Sequence, residues 1–379
     1  MRVVCAPNAF KGTLTATDAA AAMGRGVLRA RPDAEPILVP VADGGDGTLD
    51  VLLEAASEHA RVEYVRVGGP LGQRVVARLG WIAPKAAVVE LAEASGLRLL
   101  GHQSSQRDAL QSTSRGTGEL IGFALDAGAD RVLVGVGGSA CTDGGAGVLA
   151  ALGVVLLDGE GNSLPDGGGS LGELATVDAN GLRPRVREAR IEVAIDTTAP
   201  LLGRTGAAAV YGPQKGADAP TVTILERGLS RLAEIAGAAL GADPALASRP
   251  GSGAAGGCAW GLAAVGARLV GGAALVCDAV HLDDALAGAA LVMTGEGRLD
   301  ASTSTGKAPI EVLRRSQAAG VPCIAVAGRV DPDAPEGWAG SVSLDATARR
   351  GGLDPYRDAA RLVEEAAAEA VATLGARPR

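Results

Sequence analysis

One segment of this chain reads Val132-Leu133-Val134-Gly135-Val136-Gly137-Gly138-Ser139-Ala140-Cys141-Thr142-Asp143-Gly144-Gly145-Ala146-Gly147, and an apolar run at 148–152 follows it. This order predicts a buried strand, a glycine-rich turn and the start of a helix. Glycines let backbone N–H groups converge on phosphate oxygens, and the positive end of a following helix faces the same anion. We therefore interpret the turn as an anion-binding loop, in which Asp143 would hold a cation or position a reactant.

Similar apolar runs occur elsewhere in the chain, and each is followed by a glycine-rich or polar turn and a helical pattern. Together with the first segment, they lie at 3–6, 37–41, 131–136, 290–294 and 323–327. The alternation predicts an open α/β sheet of parallel strands. Such sheets bind ligands beyond the carboxyl ends of their strands. We expect four loops to meet at that edge, namely 7–13, 42–48, 137–147 and 295–307.

A different pattern occupies residues 61–91, where polar and apolar side chains alternate on both sides of a glycine- and proline-containing turn. Alternation with a period of two predicts antiparallel hairpins. A chain of 379 residues also exceeds the usual size of a single core, so we predict two domains. The first comprises 1–60 and 287–379 together with 107–150, and the second, inserted into it, comprises 61–106 and 151–286.

Composition excludes several classes of function. The net charge is −8 and only 2% of the residues are aromatic, whereas nucleic-acid binding needs clustered cations and stacking rings, so we expect no nucleic-acid partner. The five cysteines have no CxxC spacing and predict neither disulfides nor a zinc site. Arg268 interrupts the apolar stretch 253–277, and the apolar run at the N-terminus is short. We therefore expect a cytoplasmic protein without a membrane span or signal peptide.

Charged residues among glycines follow the first two predicted strands. Lys11 precedes Gly12, and it could reach a phosphate as a point charge or be a solvated loop lysine. Asp43 and Asp46 lie three residues apart in a glycine-rich turn. Such a pair suits Mg²⁺ or the hydroxyls of a small polyol acid, but an ordinary turn with an N-cap at Thr48 explains it equally well.

Two motifs in the middle of the chain suggest phosphate chemistry. Thr117 and Gly118 lie at the start of a predicted helix, where free N–H groups and a hydroxyl would face an anion, although helix capping explains the motif as well. Asp196 follows a strand at 191–195, and Lys215 lies in the segment Tyr211-Gly212-Pro213-Gln214-Lys215-Gly216. A carboxylate that orients the nucleophile and a lysine that neutralises phosphate are the charges that phosphoryl transfer requires.

The last candidate loop follows the apolar run 290–294. Glu296, Arg298 and Asp300 alternate there, and Lys307 follows directly after Gly306. Packing does not require so many charges at the end of a buried strand, so we predict that this loop is functional.

Two familiar motifs lack the context that would give them meaning, and a third is absent. Residues 251–256 fit GxGxxG without a preceding strand, residues 168–172 fit GxSxG without a preceding strand, and the chain contains no GxxxxGK[ST]. We therefore expect phosphate binding without a Walker loop.

Taken together, the motifs resemble the type I glycerate kinases. In the family's order, and across nearly the whole chain, the matching segments are Ala6-Pro7 with Phe10-Lys11-Gly12, Pro40-Val41-Ala42-Asp43-Gly44-Gly45, Gly116-Thr117-Gly118-Glu119-Leu120-Ile121, Gly137-Gly138-Ser139, Tyr211-Gly212-Pro213-Gln214-Lys215-Gly216-Ala217, Gly253-Ala254-Ala255-Gly256-Gly257 and Gly295-Glu296-Gly297-Arg298. The resemblance implies a flavodoxin-like domain joined to a second α/β domain, with the active site in the interdomain cleft. It also implies ATP and Mg²⁺ as cofactors, D-glycerate as the acceptor and 2-phosphoglycerate as the product.

The resemblance gives each candidate residue an expected role. Phosphates would be bound by Gly137, Gly138, Ser139, Gly144, Gly145, Thr117 and Gly118, with Lys11 or Lys215 as the catalytic cation. Asp196 would orient or deprotonate the acceptor hydroxyl. Glu296, Asp300 or Asp43 would hold Mg²⁺. The substrate would be contacted by Asp43, Asp46 and Arg298.

Several positions inside these motifs depart from the family pattern, which implies Asp at Asn8, Ser at Ala9, Glu at Asp46, an aromatic residue at Arg115, Asn at Thr142, Asn at Ala199 and Gln at Ser302. These changes remove polar contacts that a small hydroxy acid would use. Three alternatives therefore stay open: a kinase of this fold with another hydroxy acid or polyol acceptor, a non-catalytic nucleotide-binding sensor or scaffold, and a hydrolase using Ser170. The oligomeric state, including a homodimer, is also left open.

Overall fold

A computed structural model describes residues 1–101 and 107–375 of the chain. The chain forms two compact units. Unit 1 consists of Met1–Asp43, Asp50–Ala55 and Gly271–Arg379, and unit 2 consists of Gly44–Leu49 and Ala56–Val270.

Strands occur in both units. In chain order they are β1 (Arg2–Cys5), β2 (Glu35–Leu38), β3 (Arg61–Gly68), β4 (Arg74–Ala83), β5 (Ala86–Glu90), β6 (Arg131–Gly135), β7 (Val155–Leu157), β8 (Thr176–Asp178), β9 (Arg190–Ile195), β10 (Arg268–Gly271), β11 (Leu291–Thr294), β12 (Arg298–Leu299), β13 (Cys323–Ala327), β14 (Arg329–Val330) and β15 (Gly340–Ser343).

The α-helices vary from single turns to a helix of 22 residues. In chain order they are α1 (Ala16–Ala30), α2 (Thr48–Ala56), α3 (Ala92–Ser95), α4 (Arg115–Asp126), α5 (Ala146–Ala151), α6 (Arg185–Glu188), α7 (Ala207–Tyr211), α8 (Ala219–Leu240), α9 (Cys258–Ala264), α10 (Gly272–Ala279), α11 (Leu282–Leu286), α12 (Ala308–Ala318), α13 (Leu344–Gly351) and α14 (Ala359–Gly375). Within the described ranges, none of the helices is long and apolar enough to cross a membrane.

Unit 1 contains a five-stranded sheet in the order β15-β13-β11-β1-β2, and every pairing in it is parallel. β11 and β13 are buried along their whole length, which explains their continuous apolar sequence. Val3 pairs with Leu291 on one side and with Pro36 on the other. This is the flavodoxin-like order, whose direction of winding reverses between β1 and β11, and ligands bind at such a reversal.

One face of this sheet is covered by α1 and α14. Thr15 caps the start of α1 by accepting a hydrogen bond from the Asp18 amide at 3.0 Å. Met23 and Val27 of α1 join Leu362 and Val363 of α14 in one buried cluster with strand residues. The apolar stripes of the two helices thus fix the sheet whose strand ends carry the candidate residues.

Unit 2 contains a six-stranded sheet in the order β10-β9-β6-β5-β4-β3. β9, β6 and β5 pair in parallel, whereas β5, β4 and β3 pair antiparallel. The antiparallel hairpins expected over 61–91 are therefore confirmed.

The structure corrects the expected position of β6. We predicted that this strand lies in the same sheet as β1, but it pairs with β5 and β9 in unit 2, and residues 107–150 lie in that unit. A strand that is buried on both faces has the same continuous apolar sequence in either parallel sheet, so its sequence does not specify which strands it pairs with. The loop 137–147 therefore follows the carboxyl edge of the unit 2 sheet, whereas the loops that follow β1 and β11 belong to unit 1.

Candidate functional site

In unit 1, the candidate residues lie where β1 and β11 end. The Asn8 amide N–H donates to the Gly295 carbonyl at 2.9 Å, which joins the two strand ends. Asn8 also donates its side-chain N–H to Asp43 Oδ2 at 2.9 Å. Both side chains are buried. The parallel sheet thus brings Asp43 and Glu296, which are far apart in sequence, to the point where the strand order reverses.

Glu296 is 7% exposed and has two polar neighbours. Its Oε1 accepts a hydrogen bond from Thr303 Oγ1 at 3.0 Å, and its Oε2 lies 3.6 Å from Lys307 Nζ. Burial raises the pKa of this carboxyl and the charge of Asp43 raises it further, while Lys307 and Lys11 lower it. Two carboxylates and two lysines therefore act on one another electrostatically in this part of unit 1.

This donor set fits a hard divalent cation. Mg²⁺ usually takes one or two protein carboxylates, and phosphate oxygens and water complete its coordination. Asp43 and Glu296 provide such a pair. In the described ranges, no group of three or more His, Cys, Asp or Glu side chains is arranged to hold a metal without other ligands.

Arg298 and Asp300, which lie in the same loop as Glu296, both have structural partners. Asp300 caps the 3₁₀ helix at 301–305 and accepts from the Ser302 amide at 2.9 Å, and the Ser302 hydroxyl lowers the pKa of its carboxyl. Arg298 donates to Asp331 at 2.8 Å through Nε and lies 3.6 Å from Asp300. Glu296 and Asp43 are therefore better placed than Asp300 to bind a metal. Lys11 is exposed in the turn after β1.

In unit 2, the carboxylate of the glycine-rich loop is used internally. Asp143 is fully buried and accepts hydrogen bonds from the Ser114 amide, the Ser114 hydroxyl, and the amides of Gly145 and Gly147, at 2.8 to 3.2 Å. Burial raises the pKa of its carboxyl, and these donors lower it. The expectation that Asp143 holds a cation is therefore corrected: it caps the start of α5 and ties the loop to α4.

Four of the predicted phosphate ligands are packing positions. A Cβ atom at Gly145 would lie 3.0 Å from the Cα of Gly261, and one at Gly118 would lie 2.7 Å from the Cα of Val148. Gly144 packs in the same way against the leucines of α8. Thr117 is buried inside α4, and its hydroxyl lies 3.0 Å from Ser95 Oγ. In this geometry the three glycines let helices approach closely, and the Thr117 hydroxyl is used within unit 2.

The first half of the loop, residues 137–141, lies next to the turn 44–48 of unit 2, which contains Asp46. The Gly137 amide donates to the Gly44 carbonyl at 3.0 Å. A Cβ atom at Gly138 would lie 2.8 Å from Asp46 Oδ1, so the Asp46 carboxylate lies directly beside this glycine. Gly137, Gly138 and Asp46 are therefore brought together, as the sequence suggested, and Ser139 follows them.

The two residues predicted for phosphoryl transfer in unit 2 have different surroundings. Lys215 is buried, and its Nζ donates to Ser139 Oγ and to the Cys141 carbonyl. Asp196 is half-buried after β9, beside the pair that Thr197 Oγ1 and the Tyr211 hydroxyl form at 2.6 Å. Burial raises the pKa of Tyr211, and the charge of Asp196 raises it further.

Glu90 is a candidate that the sequence analysis missed. It ends β5, is 1% exposed, and accepts hydrogen bonds from the Gly47 amide at 3.4 Å and the Leu49 amide at 3.1 Å. Burial raises its pKa from 4.5 to about 7, with Asp46 adding to the rise. A carboxylate at the end of an apolar strand is the signal that identified Asp196, and it could have identified Glu90.

The structure also shows the surroundings of Arg115 and Thr142, which depart from the family pattern, and of Ser170, the candidate nucleophile of a hydrolase. Arg115 forms two hydrogen bonds with Asp166, at 2.6 and 2.7 Å, so its added cation is neutralised within unit 2. Thr142 is fully buried, and its hydroxyl has no hydrogen-bond partner among the residues that the structure describes. Ser170 donates its hydroxyl to the Pro165 carbonyl, which gives no support to a nucleophilic serine.

Comparisons with known proteins agree with this architecture. The model of the glycerate kinase family matches residues 3–374. The glycerate kinase of Bacillus subtilis (strain 168) is 44% identical over 335 residues, covering 88% of this chain and 86% of the relative. The glycerate 2-kinase of Escherichia coli (strain K12) is 43% identical over 335 residues, with the same coverage of 88% and 86%.

A solved structure extends the agreement to three dimensions. The crystal structure described as glycerate kinase 2 from Salmonella typhimurium LT2 is 41% identical in sequence and gives a TM-score of 0.84. The match covers 99% of this chain and 98% of that chain. The predicted α/β fold is therefore confirmed.

Proposed function

The chain belongs to the glycerate kinase family, and we propose that it transfers the terminal phosphoryl group of ATP to a hydroxyl of D-glycerate, giving 2-phosphoglycerate. The observation that carries this proposal is the placement of Asp43 and Glu296 with Lys307 at the reversal point of the unit 1 sheet. Phosphoryl transfer needs little covalent help from the protein, because positioning and charge neutralisation supply most of the catalysis.

In unit 1, Asp43 and Glu296 would hold Mg²⁺, and Lys11 and Lys307 would contact phosphate oxygens. When bound, the cation neutralises the charge that develops on the transferred phosphoryl group. The charge of Lys307 favours the ionised form of Glu296 and so opposes the rise in pKa that burial causes. The Thr303 hydroxyl donates to the Glu296 carboxylate and orients it. Each carboxylate would therefore be oriented by a neighbouring side chain before a cation binds.

In unit 2, Asp196 is the proposed base for the acceptor hydroxyl. A general base must lie within hydrogen-bond reach of the proton it removes. Asp196 directly follows β9, which pairs in parallel with β6, and ligands of α/β sheets bind beyond the ends of such strands. Asp46, beside Gly138, is the proposed contact for the glycerate hydroxyls.

The deciding experiment follows product formation from D-glycerate and Mg²⁺-ATP. Enolase converts 2-phosphoglycerate directly into phosphoenolpyruvate, which absorbs in the ultraviolet, whereas 3-phosphoglycerate requires added phosphoglycerate mutase. We expect a signal with enolase alone. A signal that appears only with the mutase would assign phosphorylation to the other hydroxyl.

Two controls separate the remaining alternatives. ADP release with other hydroxy acids or polyols, but not with D-glycerate, would show a kinase whose acceptor has changed. Nucleotide binding without ADP release on the whole panel would show a non-catalytic protein.

We also propose that the reaction takes place in the cytoplasm. All five cysteine side chains are buried free thiols, which suits a reducing compartment.

A further inference from the structure

Lys215 is a lysine whose ammonium group lies inside unit 2. Its side chain is 1% exposed, and it ends the 3₁₀ turn Pro213–Lys215. Nζ donates to Ser139 Oγ at 2.9 Å and to the Cys141 carbonyl at 2.6 Å. The Tyr211 ring lies on another side, with its centroid 6.0 Å from Nζ. Both hydrogen-bond acceptors therefore belong to the glycine-rich loop.

A buried ammonium is costly unless hydrogen bonds replace its water. The two acceptors of Lys215 belong to residues 139 and 141, so its Nζ links two points of the glycine-rich loop from inside unit 2. Asp143 ties the second half of the loop to α4, through Ser114. Lys215 gives the first half a corresponding charged anchor, at Ser139 Oγ and the Cys141 carbonyl.

We propose that Lys215 is a positioning residue, which shapes the loop at 137–141 before nucleotide phosphates bind and does not itself contact them. The effect on catalysis rests on the proposed function, extended by the phosphate-binding role that the sequence predicts for Gly137, Gly138 and Ser139. The anchoring itself does not depend on turnover. Lys215 therefore acts through Ser139 and the Cys141 carbonyl.

A double-mutant cycle tests this coupling. We expect Lys215→Met to lower kcat/KM for ATP by about 10- to 100-fold, the range for a lost charge-assisted hydrogen bond, and Ser139→Ala to lower it less. The double variant should be no slower than Lys215→Met alone, because both changes break one contact. Lys85→Met is the matched control, since Lys85 pairs with Asp130 on the surface, and it should retain the full rate. Losses that multiply in the double variant would overturn the proposal in favour of a direct phosphate contact.

Hydrogen exchange provides a readout that does not require activity. In Lys215→Met, amides of residues 137–142 should exchange faster than in the unmutated protein, while those of β6 stay protected. If Lys215→Met fails to fold, Ser139→Ala should still give a smaller increase in the same segment. Unchanged exchange in a folded Lys215→Met protein would overturn the anchoring, whereas an inactive unmutated protein with the expected exchange pattern would overturn only the proposed function.

Discussion

The loop at 137–147 in unit 2 and the loop at 295–307 in unit 1 both follow a buried parallel strand, and both contain a buried carboxylate. Asp143 in the first loop accepts four hydrogen bonds from its own unit. Glu296 in the second accepts one from Thr303 and lies 3.6 Å from Lys307. Asp143 is thus saturated by the fold, while the oxygens of Glu296 retain capacity for a ligand.

This difference separates a carboxylate whose acceptor sites are used by the fold from one that can still accept a ligand. A saturated buried carboxylate stabilises the fold and is costly to replace, because its donors are then left unpaired. An unsaturated one costs free energy in the folded protein, and function is a reason to retain it. Replacement should therefore affect stability at Asp143 and activity at Glu296.

The largest expected effect is that of Glu296→Gln on the rate. Removing a group that neutralises or positions transition-state charge typically lowers kcat by about 10²- to 10³-fold, and we expect a loss in this range. The midpoint of thermal unfolding should change little, because burial already disfavours the charged form of Glu296. A glutamine can also keep the hydrogen bond to Thr303. Steady-state kinetics and thermal unfolding measure the two quantities.

Glu311→Gln is the matched control, since Glu311 is occupied by Arg314 and Arg315 in the same unit. It should remain active. If Glu296→Gln retained the full rate, or lost it only by unfolding, the contrast with Asp143 would be broken.

The second expected effect is on stability. Asp143→Asn should lower the free energy of unfolding by about 3 kcal/mol, because an asparagine cannot accept all four hydrogen bonds and introduces an N–H among donors. The activity of the folded fraction should fall much less than in Glu296→Gln. Urea denaturation measures the first quantity. An Asp143→Asn protein of normal stability but greatly reduced Mg²⁺ affinity would instead restore the role that its sequence context first suggested.

These contrasts show what the sequence could predict. The apolar runs of β1, β11 and β13 predicted a parallel sheet because continuous burial is visible in composition. The alternation over 61–91 predicted the antiparallel hairpins of β3, β4 and β5, because strands with one face towards solvent alternate polar and apolar side chains. The charges after β11 pointed to Glu296 as a candidate, although the structure gives Arg298 and Asp300 of the same loop structural partners.

The remaining features depend on contacts between distant segments. The partners of β6 are strands 86–90 and 190–195, which its own pattern does not specify. The glycines at 144 and 145 have the sequence of an anion loop, but they are required by close contact with helices far along the chain. Glu90 was overlooked because its partners, the amides of Gly47 and Leu49, are backbone groups without a sequence signal.

Glu90 is a buried carboxyl like Asp143 and Glu296, and its raised pKa gives a prediction on how stability depends on pH. Its pKa of about 7, against the usual 4.5, means that the folded protein keeps a proton that the unfolded chain releases between these pH values. The free energy of unfolding should therefore fall as pH rises from 4.5 to 7, by up to about 3 kcal/mol. The Glu90→Gln variant should lack this component in urea denaturation at several pH values.

The catalytic rate should depend on pH in the opposite direction to stability, and Glu90→Gln should weaken this dependence. Only the ionised carboxylate of Glu90 can accept hydrogen bonds from both the Gly47 and the Leu49 amide. We therefore expect kcat to increase through pH 7 in the unmutated enzyme. The pH profile of Glu90→Gln should be flatter and lower. Burial has the largest effect on the pKa of Glu90, and the charges of Asp46, Arg98 and Glu93 adjust it. Asp50→Asn, on the outer side of α2, is the control and should leave the profile unchanged. Identical pH profiles for the unmutated and Glu90→Gln enzymes would remove Glu90 from the site.

The smallest expected effect concerns Asp300, which the sequence proposed as a metal ligand and the structure places at a helix N-cap. Asp300→Ala should lower the free energy of unfolding by about 1 kcal/mol, the usual cost of losing such a cap. Thr15→Ala removes the N-cap of α1 in the same unit and should cost a similar amount. Both variants should need the same Mg²⁺ concentration for half-maximal rate as the unmutated enzyme. If Asp300→Ala alone needed much more Mg²⁺, Asp300 would have to be grouped with Glu296, because a carboxylate used only as a cap does not change metal affinity.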